Sequence, residues 1–275
     1  MGCSSRGDAP PDVGPITPEN PGDAPHLPPT RTHLERLRDP WNSNNRADWP
    51  VAETLAELSS TAYLPPVDAV RRFGELGFNQ VMPVVQGSMI AYVVSGEDVT
   101  VIAFRGTDFA EVSDWIANLN RTPLTVEEGL IHRGFFRSYE SMKPQIEQIL
   151  RSRQSGHLWL TGHSLGGALA LSCAYDYAAR EHRPIDGLIT FGQPMLANPA
   201  LSKYLNEQYP DRYARFVNRD DVVPRIPPQL SPLRFTRLVH RLGTDALCSE
   251  QSIDSGRDRS GEQHRGRVRR DRAAV

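Results

Sequence analysis

The chain has 275 residues, of which 39 % are apolar and 23 % charged. That composition fits a globular domain with tails and excludes a wholly disordered or collagen-like chain. Its 31 basic and 33 acidic residues leave a formal charge of −2, whereas a dedicated nucleic-acid binder needs a strong basic excess, so no nucleic-acid partner is expected. Cys3, Cys173 and Cys248 are too few and too scattered for a disulfide framework or a cysteine zinc site. No run reaches the roughly 18 apolar residues of a membrane span; the longest, Ala168 to Ala179, is broken by Ser172 and Asp176.

Residues 1–45 open with a proline-rich stretch that has almost no large apolar side chains. Such a segment buries too little surface to offset its chain entropy, and it is expected to be disordered. The start Met1-Gly2-Cys3-Ser4-Ser5-Arg6 fails a myristoylation signal, because Arg6 stands where Ser or Thr is required. Gly-Cys-Ser-Ser before a flexible spacer resembles the mature end of a bacterial lipoprotein, but no apolar leader is visible. A cytoplasmic location is therefore the literal expectation, with an envelope-tethered lipoprotein as the alternative.

Residues 46–248 read as one folded domain. Ala52, Leu55 and Leu58, then Val70, Phe73 and Leu76, recur at helical spacing. Strands are expected at Gln80–Val85, Met89–Ser95 and Val99–Phe104, followed by helices at Glu111–Asn120 and Arg137–Arg153. A buried strand at His157–Thr161 leads into a long helix over Leu165–Arg180. Next come a strand at Ile185–Phe191, a helix at Pro199–Gln208, and strands at Arg212–Val217 and Leu233–Val239. Strands alternating with helices imply an α/β fold whose mostly parallel sheet is covered on both faces. Residues 249–275 are arginine-rich and follow neither periodicity, so this tail is expected to be disordered.

Gly162-His163-Ser164-Leu165-Gly166 lies between a predicted strand and a predicted helix, the context of a G-x-S-x-G nucleophile elbow. A serine on so tight a turn needs residues without side chains two positions either side, here Gly162 and Gly166. The turn exposes the hydroxyl of Ser164 beside the N–H groups of a helix start, which favour developing negative charge.

Gly162–Ala168 resembles the GHSLGGA signature of the fungal-type (class 3) lipase family. Phe104-Arg105-Gly106-Thr107, His132-Arg133-Gly134-Phe135 and Val217-Asn218-Arg219-Asp220-Asp221-Val222-Val223-Pro224 match in order, so the likeness runs over about residues 51–243. The resemblance implies an α/β-hydrolase fold that cleaves lipid esters such as acylglycerols through a Ser-Asp-His triad; no cofactor is expected, and no metal, because neither His132 nor His163 pairs with carboxylates at metal-ligand spacing. The resemblance also implies a lipid or small-ester substrate and contact with a lipid interface.

Carried over onto this chain, the nucleophile is Ser164, and the oxyanion donors are the N–H of Leu165 and Thr107. Asp221 is the acid, chosen over Asp220 because Val222-Val223-Pro224 follows it. Trp115 and Ile116 fall on an apolar helical face that is either a lid or an ordinary packed helix. His132 reads as structural, and His163 as packing in the elbow. The base must follow the acid in this fold, which leaves His240 and His264. His264 has the right order, but its neighbours, Gln263 and Arg265, depart from the family's Asp-His stretch. A chain without a working base stays open beside it, as does a shifted reading frame for the arginine-rich ending. The competing functions are a catalytically impaired lipase-like binding protein and a phospholipase or acyltransferase on the same site.

Overall fold

Apolar side chains alternate along the central strands and supply both faces of one sheet. The computed structural model describes residues 31–38, 49–107, 122–153 and 156–217. The strands are β1 (Gln80–Gln86), β2 (Met89–Gly96), β3 (Val99–Phe104), β4 (Pro123–Val126), β5 (Gly129–His132), β6 (His157–His163), β7 (Gly187–Phe191) and β8 (Tyr213–Phe216). Six of them form a sheet in the order β1-β2-β3-β6-β7-β8, while β4 and β5 form a separate hairpin. The first three are antiparallel, and β3, β6, β7 and β8 run parallel.

The helices are α1 (His33–Leu37), α2 (Trp49–Thr61), α3 (Pro66–Glu75), α4 (Arg133–Arg151), α5 (Leu165–Asp176) and α6 (Pro199–Gln208). On β3, Ile102 and Phe104 enter one core with residues of α4, α5 and α6. Val99, Val101 and Ala103 enter the opposite core with α1, α2 and α3. Because both faces are covered, every β3 residue is buried. The four parallel strands end at one sheet edge, where open α/β sheets place their ligands.

The structure departs from the expectations in four places. The segment 1–45 is not disordered throughout, since His33–Leu37 form α1, whose start is a capping box. Thr32 Oγ1 accepts from Glu35 N at 3.2 Å, and Thr32 N donates to Glu35 Oε2 at 2.7 Å. Leu34 and Leu37, one turn apart, are buried, and the Leu37 carbonyl accepts the indole N–H of Trp159 at 2.7 Å. Second, α4 starts at Arg133 rather than Arg137, because His132 caps it. Third, the hairpin of β4 and β5 was not anticipated; its strands are only four residues long and mostly half-buried. Fourth, α5 stops at Asp176 and the chain widens into a π-helical turn at Tyr177–Glu181. That turn lets Arg180 bond Glu140 at 2.9 Å and Glu181 bond Lys143 at 2.6 Å, both on α4. The expected elements at 111–120 and 233–239, and the tail at 249–275, lie outside the described residues. No helix among the described residues is long and apolar enough to cross a membrane.

If α1 is an integral part of the second core, Leu37→Ala should lower unfolding stability by about 2–4 kcal/mol in urea denaturation, the usual cost of truncating a buried leucine. An unchanged midpoint would place α1 outside the cooperative unit.

Candidate active site

The turn between β6 and α5 is built by backbone contact. Ser164 has φ 55° and ψ −126°, a left-handed conformation that non-glycine residues rarely adopt. It is held there by its own main chain. Ser164 N donates to the Phe191 carbonyl at 2.9 Å, and Ser164 O accepts from Gly167 N at 2.9 Å and Ala168 N at 3.3 Å. A β-carbon on Gly162 would collide with the backbone of Gly166, and one on Gly166 would collide with the Phe104 carbonyl. The two glycines thus permit a bend that no side chain would fit. Contrary to the exposed hydroxyl expected from the sequence, Ser164 is nearly enclosed, and its Oγ has no hydrogen-bond partner among the described residues. Leu165, the first residue of α5, contributes one of the helix-start N–H groups that lack an intrahelical acceptor.

The end of β3 meets this turn directly. The last ladder pair between β3 and β6 joins Phe104 to Gly162, and the Gly166 backbone rests on Phe104 and Arg105. Arg105 N donates to the Ile90 carbonyl at 3.0 Å. Gly106 lies against the His163 carbonyl and the Tyr63 hydroxyl. Thr107 follows, half-buried. Ser164, Leu165 and the segment leading to Thr107 are therefore gathered at one place on the sheet edge. The sequence had not singled out Tyr63. Its only signal was position, at the end of the α2 pattern, and that says nothing about a contact 100 residues away.

A second contact absent from the sequence reading is a polar latch after β7. Gln193 is buried, and its Oε1 accepts from Thr190 Oγ1 at 2.8 Å and from the Tyr213 hydroxyl at 3.0 Å. Its carbonyl accepts from Arg215 Nε at 3.1 Å and also from Nη2. The latch joins β7 to β8, from whose C-terminal end the chain continues toward Asp221. Asp221, Trp115, Ile116, His240 and His264 lie outside the described residues.

The two histidines read as structural are both in polar or ring contact. His163 Nδ1 lies 2.8 Å from the Tyr63 hydroxyl. His132 is fully buried and caps α4, its Nδ1 accepting from Phe135 N at 3.4 Å, with the Phe135 ring centroid 4.3 Å away. Burial lowers the His132 pKa to about 4. Among the described residues, no three His, Cys, Asp or Glu side chains come together as a metal site.

A mostly parallel sheet, a serine in a strained turn at its carboxyl edge and a buried helix behind it are the arrangement of the α/β-hydrolase fold. Residues 101–231 match the model of the class 3 lipase family. The chain is 36 % identical over 138 residues to a lipase of Rhizomucor miehei, covering 46 % of this chain and 37 % of the relative. It is 31 % identical over 176 residues to a chloroplastic phospholipase A(1) of Arabidopsis thaliana, covering 52 % and 39 %. The chain thus spans about two-fifths of the length of these two relatives. Among solved structures, the triacylglyceride lipase of Rhizomucor miehei superposes with a TM-score of 0.56 at 26 % identity, covering 67 % of this chain and 76 % of that one.

His132 gives the site region a pH signature. Its folded pKa of about 4 lies below the ordinary 6.5, so the folded state keeps it neutral while the unfolded chain protonates. Stability is full above about pH 6.5 and falls as the pH drops toward 4, by roughly 3 kcal/mol at about 1.4 kcal/mol per unit. His132→Asn retains a capping side chain but cannot titrate. Urea midpoints between pH 7 and 4 should fall less steeply in this variant than in the wild type. Equal slopes would refute the assignment.

Proposed function

We propose that the protein hydrolyses carboxylic esters of lipids, acylglycerols foremost, through Ser164, Asp221 and His264. The observation that carries this reading is the conformation of Ser164, a strained residue whose buried hydroxyl sits beside a helix start, within the segment that matches the class 3 lipase model. Strained backbone persists where the surrounding structure holds it, and such positions cluster at functional sites.

In this reading His264 takes the Ser164 proton as Oγ attacks the ester carbonyl. The carbonyl oxygen becomes an oxyanion held by the N–H groups of Leu165 and Thr107. Preorganised donors of this kind are worth about 3–4 kcal/mol each. The protonated histidine then gives its proton to the leaving alkoxide, and a water activated by the same histidine releases the acid. Asp221 orients the imidazole and stabilises its charged form without taking the proton. Lipid esters as substrate follow from the relatives' names, and a lipid interface as the place of contact follows from that substrate.

Two observations favour other readings. The family match ends at residue 231, before His264, which favours a lipase-like protein that binds lipid without turnover. The Arabidopsis relative is a phospholipase A(1), which favours glycerophospholipids as substrate.

A fluorophosphonate probe should label the wild type, and Ser164→Ala should abolish labelling and lower ester turnover at least about 10⁴-fold. His264→Ala should lower turnover by about 10³-fold or more, and His240→Ala by less than about threefold. An unlabelled wild type supports the binder. Fatty acid released from phosphatidylcholine but not from triacylglycerol supports the phospholipase.

A further inference from the structure

Three pieces of chain distant in sequence meet at the Tyr63 hydroxyl. It lies 2.8 Å from His163 Nδ1 and 3.3 Å from the His163 carbonyl oxygen. The two rings pack edge to face with centroids 5.7 Å apart. The same hydroxyl abuts Gly106, where a β-carbon would strike both Tyr63 Oη and the His163 carbonyl.

These contacts sit just where the sheet stops holding the chain. The β3–β6 ladder ends at Phe104 and Gly162. Beyond it, Gly106-Thr107 on one side and His163-Ser164 on the other need another connection to keep their spacing. One tie is Arg105 N to the Ile90 carbonyl, but it fastens the segment to β2. Tyr63 fastens it to the elbow itself.

We propose that Tyr63 is a positioning residue that sets the distance between the Thr107 amide and Ser164 by clamping His163 against Gly106. The inference rests on the serine-hydrolase reading above. An oxyanion donor works only within about 2.7–3.1 Å of the charge, and complete loss of one lowers kcat by about 10²–10³-fold. A hydroxyl that spaces such a donor should have a smaller effect of the same kind. The effect should fall on kcat, because the donor acts on the transition state rather than on bound substrate.

The test is Tyr63→Phe, which keeps the ring packing and removes only the hydroxyl. On a water-soluble short-chain ester, kcat should drop about 10–100-fold, with KM within about threefold. Phosphonylation by the fluorophosphonate probe should slow in parallel, and the thermal midpoint should hold within a few degrees. If the hydroxyl acts through His163, Tyr63→Phe combined with His163→Gln should be no worse than the poorer single variant. A kcat within twofold of the wild type overturns the inference, as does a loss of activity that merely tracks a collapse in melting temperature. Additive losses in the double variant also overturn it. A wild type inert to both ester and probe defeats the hydrolase reading and this inference with it. A reactive wild type matched by Tyr63→Phe defeats the inference alone.

Discussion

The strained turn at Ser164 sets terms for everything packed around it. A serine at φ 55° and ψ −126° costs of the order of 1–3 kcal/mol, and it persists only where its surroundings leave it no alternative. Here β7 binds the Ser164 N–H and α5 binds its carbonyl. The absence of side chains at Gly162 and Gly166 lets three backbones touch. Any relaxation of the serine would have to shift β6 or α5, and both are buried over most of their length. The hydroxyl is therefore placed by the fold rather than by its own rotamer preferences.

That constraint extends to the far end of α5. A helix buried on all sides has no polar face, so its residues are small or apolar up to Asp176, which is itself fully buried. The carboxylate is satisfied from α4 and from the π turn. The Tyr139 hydroxyl donates to it at 2.8 Å, Lys143 Nζ lies 2.7 Å away and Arg180 Nη1 lies 3.5 Å away. Desolvation offsets most of what such a buried cluster gains in attraction, so its contribution is hydrogen bonding rather than net stability. With the turn fixing one end of α5 and this cluster the other, the helix has little freedom to tilt beneath the nucleophile.

The elements legible in the sequence were those whose pattern is local and repeated. β1, β2 and β3 alternate or run apolar between turn residues, and α6 begins at Pro199 behind the Asn198 cap. The elbow was legible because its glycine requirement is written at fixed offsets from Ser164. Features set by distant partners were not. α1 is only five residues long, and its two leucines matter only because Trp159 and the second core lie opposite. The π turn has no mark of its own in the sequence, since helical spacing continues through Tyr177. It is decided by Glu140 and Lys143 across the gap. In the site, Ser164 and Leu165 were local readings. Tyr63 and Gln193 were not, because each is a polar group whose partners come from other strands.

Strand order also bears on how the proposed triad would be spanned. The segment to Thr107 leaves β3, adjacent to β6, so one ladder spacing of about 4.8 Å separates the nucleophile strand from the proposed oxyanion donor. β8, the strand that precedes the proposed acid in sequence, lies two strands from β6, about 10 Å away. Two hydrogen bonds of about 3 Å each, with an imidazole between them, cover roughly 8 Å. A serine and a carboxylate placed at the ends of strands two apart would thus be too far to bond directly and spaced for a histidine bridge. The intervening strand, β7, is followed by the Gln193 latch, whose bonds to Tyr213 and Arg215 tie its end to β8. The latch holds the edge across which a triad would reach, as Tyr63 does for the oxyanion side.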